Sequence, residues 1–116
     1  MERHGVRIDR EAIADFCRRN HIGKLAFFGS FLTDDFGPES DVDVLVLFEP
    51  GQEPGFFRLA DMEFELSETL DRKVDLRTPE DLSRYFRERV VESAEVLYAA
   101  WTRRASGAVS VGLGDQ

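Results

Sequence analysis

Phe28-Gly29-Ser30 is followed, ten residues after its serine, by Ser40-Asp41-Val42-Asp43-Val44-Leu45-Val46-Leu47-Phe48, and the fold and chemistry of this chain turn on these two segments. The second segment is the strongest strand signal in the sequence. It is a short apolar run, rich in valine, that starts on two acids. Leu25 to Phe28 reads the same way and stops at Gly29-Ser30. Thr33-Asp34-Asp35-Phe36-Gly37-Pro38-Glu39-Ser40 lies between them and is full of turn formers. Asp41 and Asp43 are two apart, and residues i and i+2 of a strand point to one face. Left unpaired, two such carboxylates repel and one pKa rises. A divalent cation removes the conflict, and magnesium favours carboxylate oxygens, water and substrate phosphates. Gly29 allows a phosphate to approach the backbone closely. Ser30 can donate its hydroxyl and open a helical turn whose N–H groups face an anion.

Outward from this centre, the rest of the chain supplies the supports. Met1-Glu2-Arg3-His4 reads as running into a polar helix, and residues 9–20 read as that helix, with Asp9 as N-cap and Ala12, Ile13, Phe16 and Cys17 at helical spacing. A second helix is expected from Phe56 to Leu70, with Leu59, Met62, Leu66 and Leu70 on one stripe. Lys73 to Leu76 reads as a short strand carrying Asp75 between Val74 and Leu76. Thr78-Pro79-Glu80-Asp81 is a helix-start signal with Asp81 as capping-box acid. It opens a last helix with Phe86, Val90, Ala94, Leu97 and Trp101 on one face. The expected order is helix, strand, strand, helix, strand, helix: a small α/β (α+β) domain with a short sheet packed against helices. Residues 1–104 are expected to form it, with 105–116 a loose Gly-, Ser- and Ala-rich tail.

Composition narrows the function classes. The chain has 116 residues and a formal net charge of −8, from 23 acids against 15 Lys and Arg. One ordinary domain fits this length. The acidic balance disfavours direct binding to nucleic acid or an anionic membrane. Cys17 cannot form an internal disulfide and is expected as a small buried hydrophobe. No zinc spacing exists, and no apolar run approaches membrane-spanning length. A reduced, cytoplasmic setting is expected.

A carboxylate at Asp75, inside a half-buried strand, needs a partner or a role. The partner reading offers Arg77, or Arg72 or Lys73 across a turn. The role reading places its strand beside that of Asp41 and Asp43. Three acids then meet and suit two metals about 4 Å apart that clamp attacking and leaving oxygens.

The ordered set Phe28-Gly29-Ser30 … Ser40-Asp41-Val42-Asp43-Val44-Leu45-Val46 resembles the signature of the nucleotidyltransferase superfamily typified by DNA polymerase β. More closely, the chain is similar to the minimal nucleotidyltransferases, small bacterial and archaeal proteins related to the kanamycin nucleotidyltransferases. The likeness extends to Arg72-Lys73-Val74-Asp75-Leu76 and Glu95-Val96-Leu97-Tyr98. It implies a nucleotidyltransferase fold with a short mixed sheet backed by helices. It implies magnesium at Asp41, Asp43 and Asp75, which are also the candidate catalytic residues, and nucleotide contacts at Gly29, Ser30 and Ser40. The implied reaction moves a nucleoside monophosphate, AMP from ATP, to an acceptor hydroxyl, with Asp75 taking the proton. Members of the minimal family are often antitoxins, and the implied partner is a HEPN-domain ribonuclease toxin inactivated by adenylylation.

One position departs from the family pattern. Many members carry a basic residue where this chain has Thr33, and threonine cannot supply the charge. Lys24 and Arg58 are the candidate substitutes. The rival reading is a binding module that neutralises its partner by stoichiometric contact. Asp34, Asp35 and Glu39 read as solvated loop acids. Arg84, Arg87 and Arg89 read as the solvated side of the last helix.

Overall fold

Asp9 opens the first helix as its position requires: its carboxylate accepts the N–H groups of Glu11 and Ala12. The computed structural model describes residues 2–100. Two short strands, β1 (Glu2–Arg3) and β2 (Val6–Arg7), pair as a hairpin ahead of helix α1 (Arg10–Arg19). Strand β3 (Ile22–Phe28) runs into a 3₁₀ turn over Gly29–Leu32, and β4 (Val42–Phe48) follows the signature loop. Helix α2 (Phe56–Leu70) leads to β5 (Val74–Arg77). A second 3₁₀ turn (Pro79–Asp81), helix α3 (Arg84–Ser93) and strand β6 (Glu95–Ala99) complete the described chain.

The sheet has the order β5-β4-β3-β6, with β4 and β5 parallel and the other pairs antiparallel. It is the short mixed sheet expected. Alternation along the strands sorts side chains to two faces. On one face Leu25, Phe27, Val42, Val44, Val46, Val74 and Leu76 pack with Ile13, Phe16 and Cys17 of α1 and Met62, Leu66 and Leu70 of α2. On the other, Phe28 and Leu45 pack under Leu82 and Val90, so α3 covers part of that face. Asp43 and Asp75 belong to this second face by strand parity. The exposed edge at β5 is sealed by α2: Ser67 Oγ accepts the Val74 N–H at 3.0 Å and Glu63 Oε2 the Leu76 N–H at 2.8 Å.

Three expectations change. The capping box at Thr78 and Asp81 forms with both bonds, but it caps only a 3₁₀ turn; α3 begins at Arg84. The last helix ends at Ser93, and Leu97 lies on β6, paired beside β3. The period of Val90, Ala94 and Leu97 fits a helix locally, but pairing with β3 satisfies the strand's backbone groups and prevails. The N-terminal residues, read as leading directly into the helix, form the β1–β2 hairpin. The expected tail 105–116 and Trp101 lie outside the described residues, as does the side chain of Phe86.

Candidate active site

The register of the sheet builds the site. Asp43 is the direct neighbour of Phe28 on β3 and of Asp75 on β5. Asp41 immediately precedes β4, two residues from Asp43. All three acids are half-buried and belong to the sheet face that α3 leaves partly open. The strand of Asp75 therefore lies where the three-acid reading needs it.

Gly29 closes the other side. Its φ is +71°, and a β-carbon there would stand 2.2 Å from Asp43 Oδ2. Only glycine meets both conditions, the left-handed backbone and the close approach of a carboxylate. The Ser30 backbone amide faces the Asp43 carboxylate and favours its charged form. Partial burial raises the Asp43 pKa most. The Asp75 and Asp41 charges add to that, while Arg77 and the Ser30 amide act against it.

Asp75 is engaged. Arg77 donates from Nε to Oδ1 at 3.0 Å and from Nη2 to Oδ2 at 3.2 Å. Of the three cations open at the sequence level, Arg77 is the partner, and this bond raises the Arg77 pKa further. Lys73 stands 3.9 Å from Asp41, an exposed pair of small worth. Arg72 does something else. Its guanidinium donates to the carbonyls of Gly37 and Ser40, the latter at 3.1 Å, and lies 4.5 Å over the Phe36 ring. It thereby pins the loop that delivers Asp41.

Ser40 serves that loop too: its hydroxyl accepts the Gly37 N–H at 3.0 Å and its own N–H donates to Gly37 O. The expected nucleotide contact at Ser40 thus coincides with a structural one. Thr33 caps the 3₁₀ turn, donating from Oγ1 to Ser30 O at 3.0 Å and accepting the Asp35 N–H at 3.1 Å. Neither proposed substitute for the missing basic residue reaches the site. Arg58 donates to Asn20 Oδ1 at 2.7 Å, beyond the opposite end of β3, roughly 20 Å along the strand from Gly29 by its rise per residue. Lys24 sits near that same end.

The donor set suits a hard divalent cation at Asp41 and Asp43, because a half-buried acid between two like charges gains most from one. As the side chains stand, no group of three His, Cys, Asp or Glu among the described residues is gathered to hold a metal. Arg77 holds the third carboxylate instead.

A family profile for nucleotidyltransferase domains matches residues 10–97, which span α1, the signature and β5. The chain belongs to the nucleotidyltransferase domain family. Among solved structures, a protein assigned as a minimal nucleotidyltransferase is 30% identical over 73% of this chain and 85% of its own, with a TM-score of 0.62. A chain of a toxin–antitoxin crystal structure with AMP-PNP is 22% identical, covering 89% and 83%, with a TM-score of 0.66. The complex of a tri-AMPylated Shewanella oneidensis HEPN toxin with its MNT antitoxin gives 21% identity, 87% and 78% coverage and a TM-score of 0.58. At their identities the last two likenesses concern the nucleotidyltransferase fold. A search of curated protein sequences gives no match.

Two features of this candidate site are not legible in the sequence. Arg72 offers itself in the sequence only as a partner for Asp75, although its place just before that strand signals a residue near the Asp41 loop. The second is the glycine contact itself. In the sequence Gly29 reads as room for a phosphate, and in the structure its β-carbon position is nearest Asp43.

Proposed function

We propose that this protein is a magnesium-dependent nucleotidyltransferase that moves AMP from ATP to a hydroxyl of a partner protein, as the antitoxin that silences a HEPN-type ribonuclease. The observation that carries the reading is the in-register pair Asp43 and Asp75 on adjacent parallel strands, with Gly29 packed against Asp43. Family membership supports the reaction class. The fold shared with the AMPylated toxin complex supports the choice of partner class. The exposed Phe56, Phe57 and Phe64 of α2 offer apolar surface of the kind a protein partner covers.

Asp41 and Asp43 would hold the magnesium, which when bound neutralises charge on the triphosphate and in the transition state. Gly29 and Ser30 would border the triphosphate. The acceptor oxygen attacks the α-phosphorus, the bond from that phosphorus to the oxygen bridging the β-phosphorus breaks, and pyrophosphate leaves. The acceptor proton passes to Asp75, which must first release at least one of its two bonds to Arg77. That latch, and the absence of a cation at Thr33, favour the second reading, a stoichiometric binder.

Incubation with magnesium, labelled ATP and the product of the neighbouring gene separates them. Label is expected on the partner and is lost in Asp41→Asn/Asp43→Asn. A tight complex without transfer, indifferent to those substitutions, overturns the enzyme reading in favour of the binder.

A further inference from the structure

Helix α3 brings a guanidinium to the Gly29 turn from far along the chain. Arg89 lines a cleft of about 430 Å³ together with Phe28, Gly29, Val90, Glu92 and Ser93. Phe28 and Val90 are buried in one cluster and form its apolar floor. Ser93 is committed to its own helix, donating to Arg89 O at 3.0 Å. Gly29 is exposed and contributes bare backbone. Behind that glycine stands Asp43, so the cleft and the acid group share one wall.

Most arginines near the site are occupied. Arg77 holds Asp75, Arg72 holds the Gly37–Ser40 loop, and Arg87 donates to Pro79 O at 2.8 Å. The Arg89 side chain makes no hydrogen bond or ion pair among the described residues, not even with Glu92 in the same cleft. A free guanidinium beside exposed glycine backbone fits a phosphate, which it can bind bidentately. Glu92 sets a condition: a bare anion would meet a like charge here, so the polyphosphate should enter with its cation.

We propose that Arg89 binds the outer phosphates of a nucleoside triphosphate whose reacting phosphate lies at Asp41 and Asp43, supplying the charge absent at Thr33. This rests on the nucleotidyltransferase reading of the site. The sequence hides it, because Arg89 among Arg84, Arg87, Glu88 and Glu92 looks like an ordinary solvated helix face.

Calorimetric titration with ATP and with AMP, in magnesium, tests it on the full chain. Arg89→Ala should weaken ATP roughly 10–100-fold, the worth of a charge-assisted pair, and leave AMP within about twofold. Arg89→Lys should recover part of the loss, and Arg84→Ala, on the same helix but outside the cleft, should bind as wild type. Arg89 is exposed, so an unchanged melting temperature is expected and excludes misfolding as the cause. Equal ATP affinity in Arg89→Ala, or equal losses for ATP and AMP, overturns the assignment while the site reading stands. A wild-type protein that binds no triphosphate overturns both.

Discussion

Asp75 illustrates how far a single residue can be read from sequence. Its type and its apolar neighbours mark it as an acid needing a partner or a role, and both are local properties. Which cation meets it is not local. Three lay within reach along the chain, and the strand geometry gives it Arg77 and sends Arg72 to the loop. Gly29 is the residue where substitution should tell most. Gly29→Ala meets a left-handed backbone, worth about 1–2 kcal/mol, and drives a methyl into the Asp43 carboxylate. Gly51→Ala has similar backbone strain, at φ +80°, with nothing within 4 Å of its new carbon. Chemical denaturation should show a loss of stability in both, the larger in Gly29→Ala, while nucleotide binding should fail only in Gly29→Ala. Retained binding there would remove the glycine from the site.

Among the elements, α1, β4 and α2 were legible because each carries its own pattern: a cap and stripe, an apolar run, a longer stripe. Strand β6 was not. Its residues fit a helical continuation of α3, and only the open edge of β3 turns them into a strand. Helix α1 carries a sharper test. Cys17 is fully buried on its inner face, and burial pushes the thiol up from 9.0 to about 12. Well below pH 9 both folded and unfolded chains keep the proton, so ionisation of the thiol does not affect stability. As pH rises from there toward 12, the unfolded chain loses its proton first and folding stability falls. Cys17→Ala removes this component, so the stability gap between wild type and variant should narrow between about pH 8 and about pH 10.5, the range in which an ordinary thiol ionises. At neutral pH the native thiol should resist a disulfide-exchange reagent and react only on unfolding. Prompt reaction in the native state would contradict the burial.

For the whole molecule the surplus of −8 is unevenly held. Asp41, Asp43 and Asp75 crowd one sheet face, with Arg77 the bonded counter-charge to Asp75 and Lys73 a distant one to Asp41. Binding of a cation to the folded state alone stabilises it by mass action. Magnesium should therefore raise the melting temperature of the wild type, and the rise should vanish in Asp41→Asn/Asp43→Asn. Without metal, Asp43→Asn should be the more stable protein, since it removes a half-buried charge between two like charges and keeps an oxygen facing the Ser30 amide. A metal-independent melting temperature in the wild type would argue that these acids serve no cation.

By itself the sequence determined the parts and their chemistry: a strand ending at Gly29-Ser30, an acid pair opening the next strand, a third acid in a later one. Periodicity, turn formers and residue type express short-range physics, which a linear chain displays directly. The tertiary structure alone decided the parallel register that sets Asp43 beside Asp75, the choice of Arg77 as its partner, and the arrival of Arg89 beside Gly29. Those depend on which strands pair and which helix covers which face. Such pairings are fixed by burial and backbone hydrogen bonding summed over the whole domain, and no local stretch of sequence records that sum.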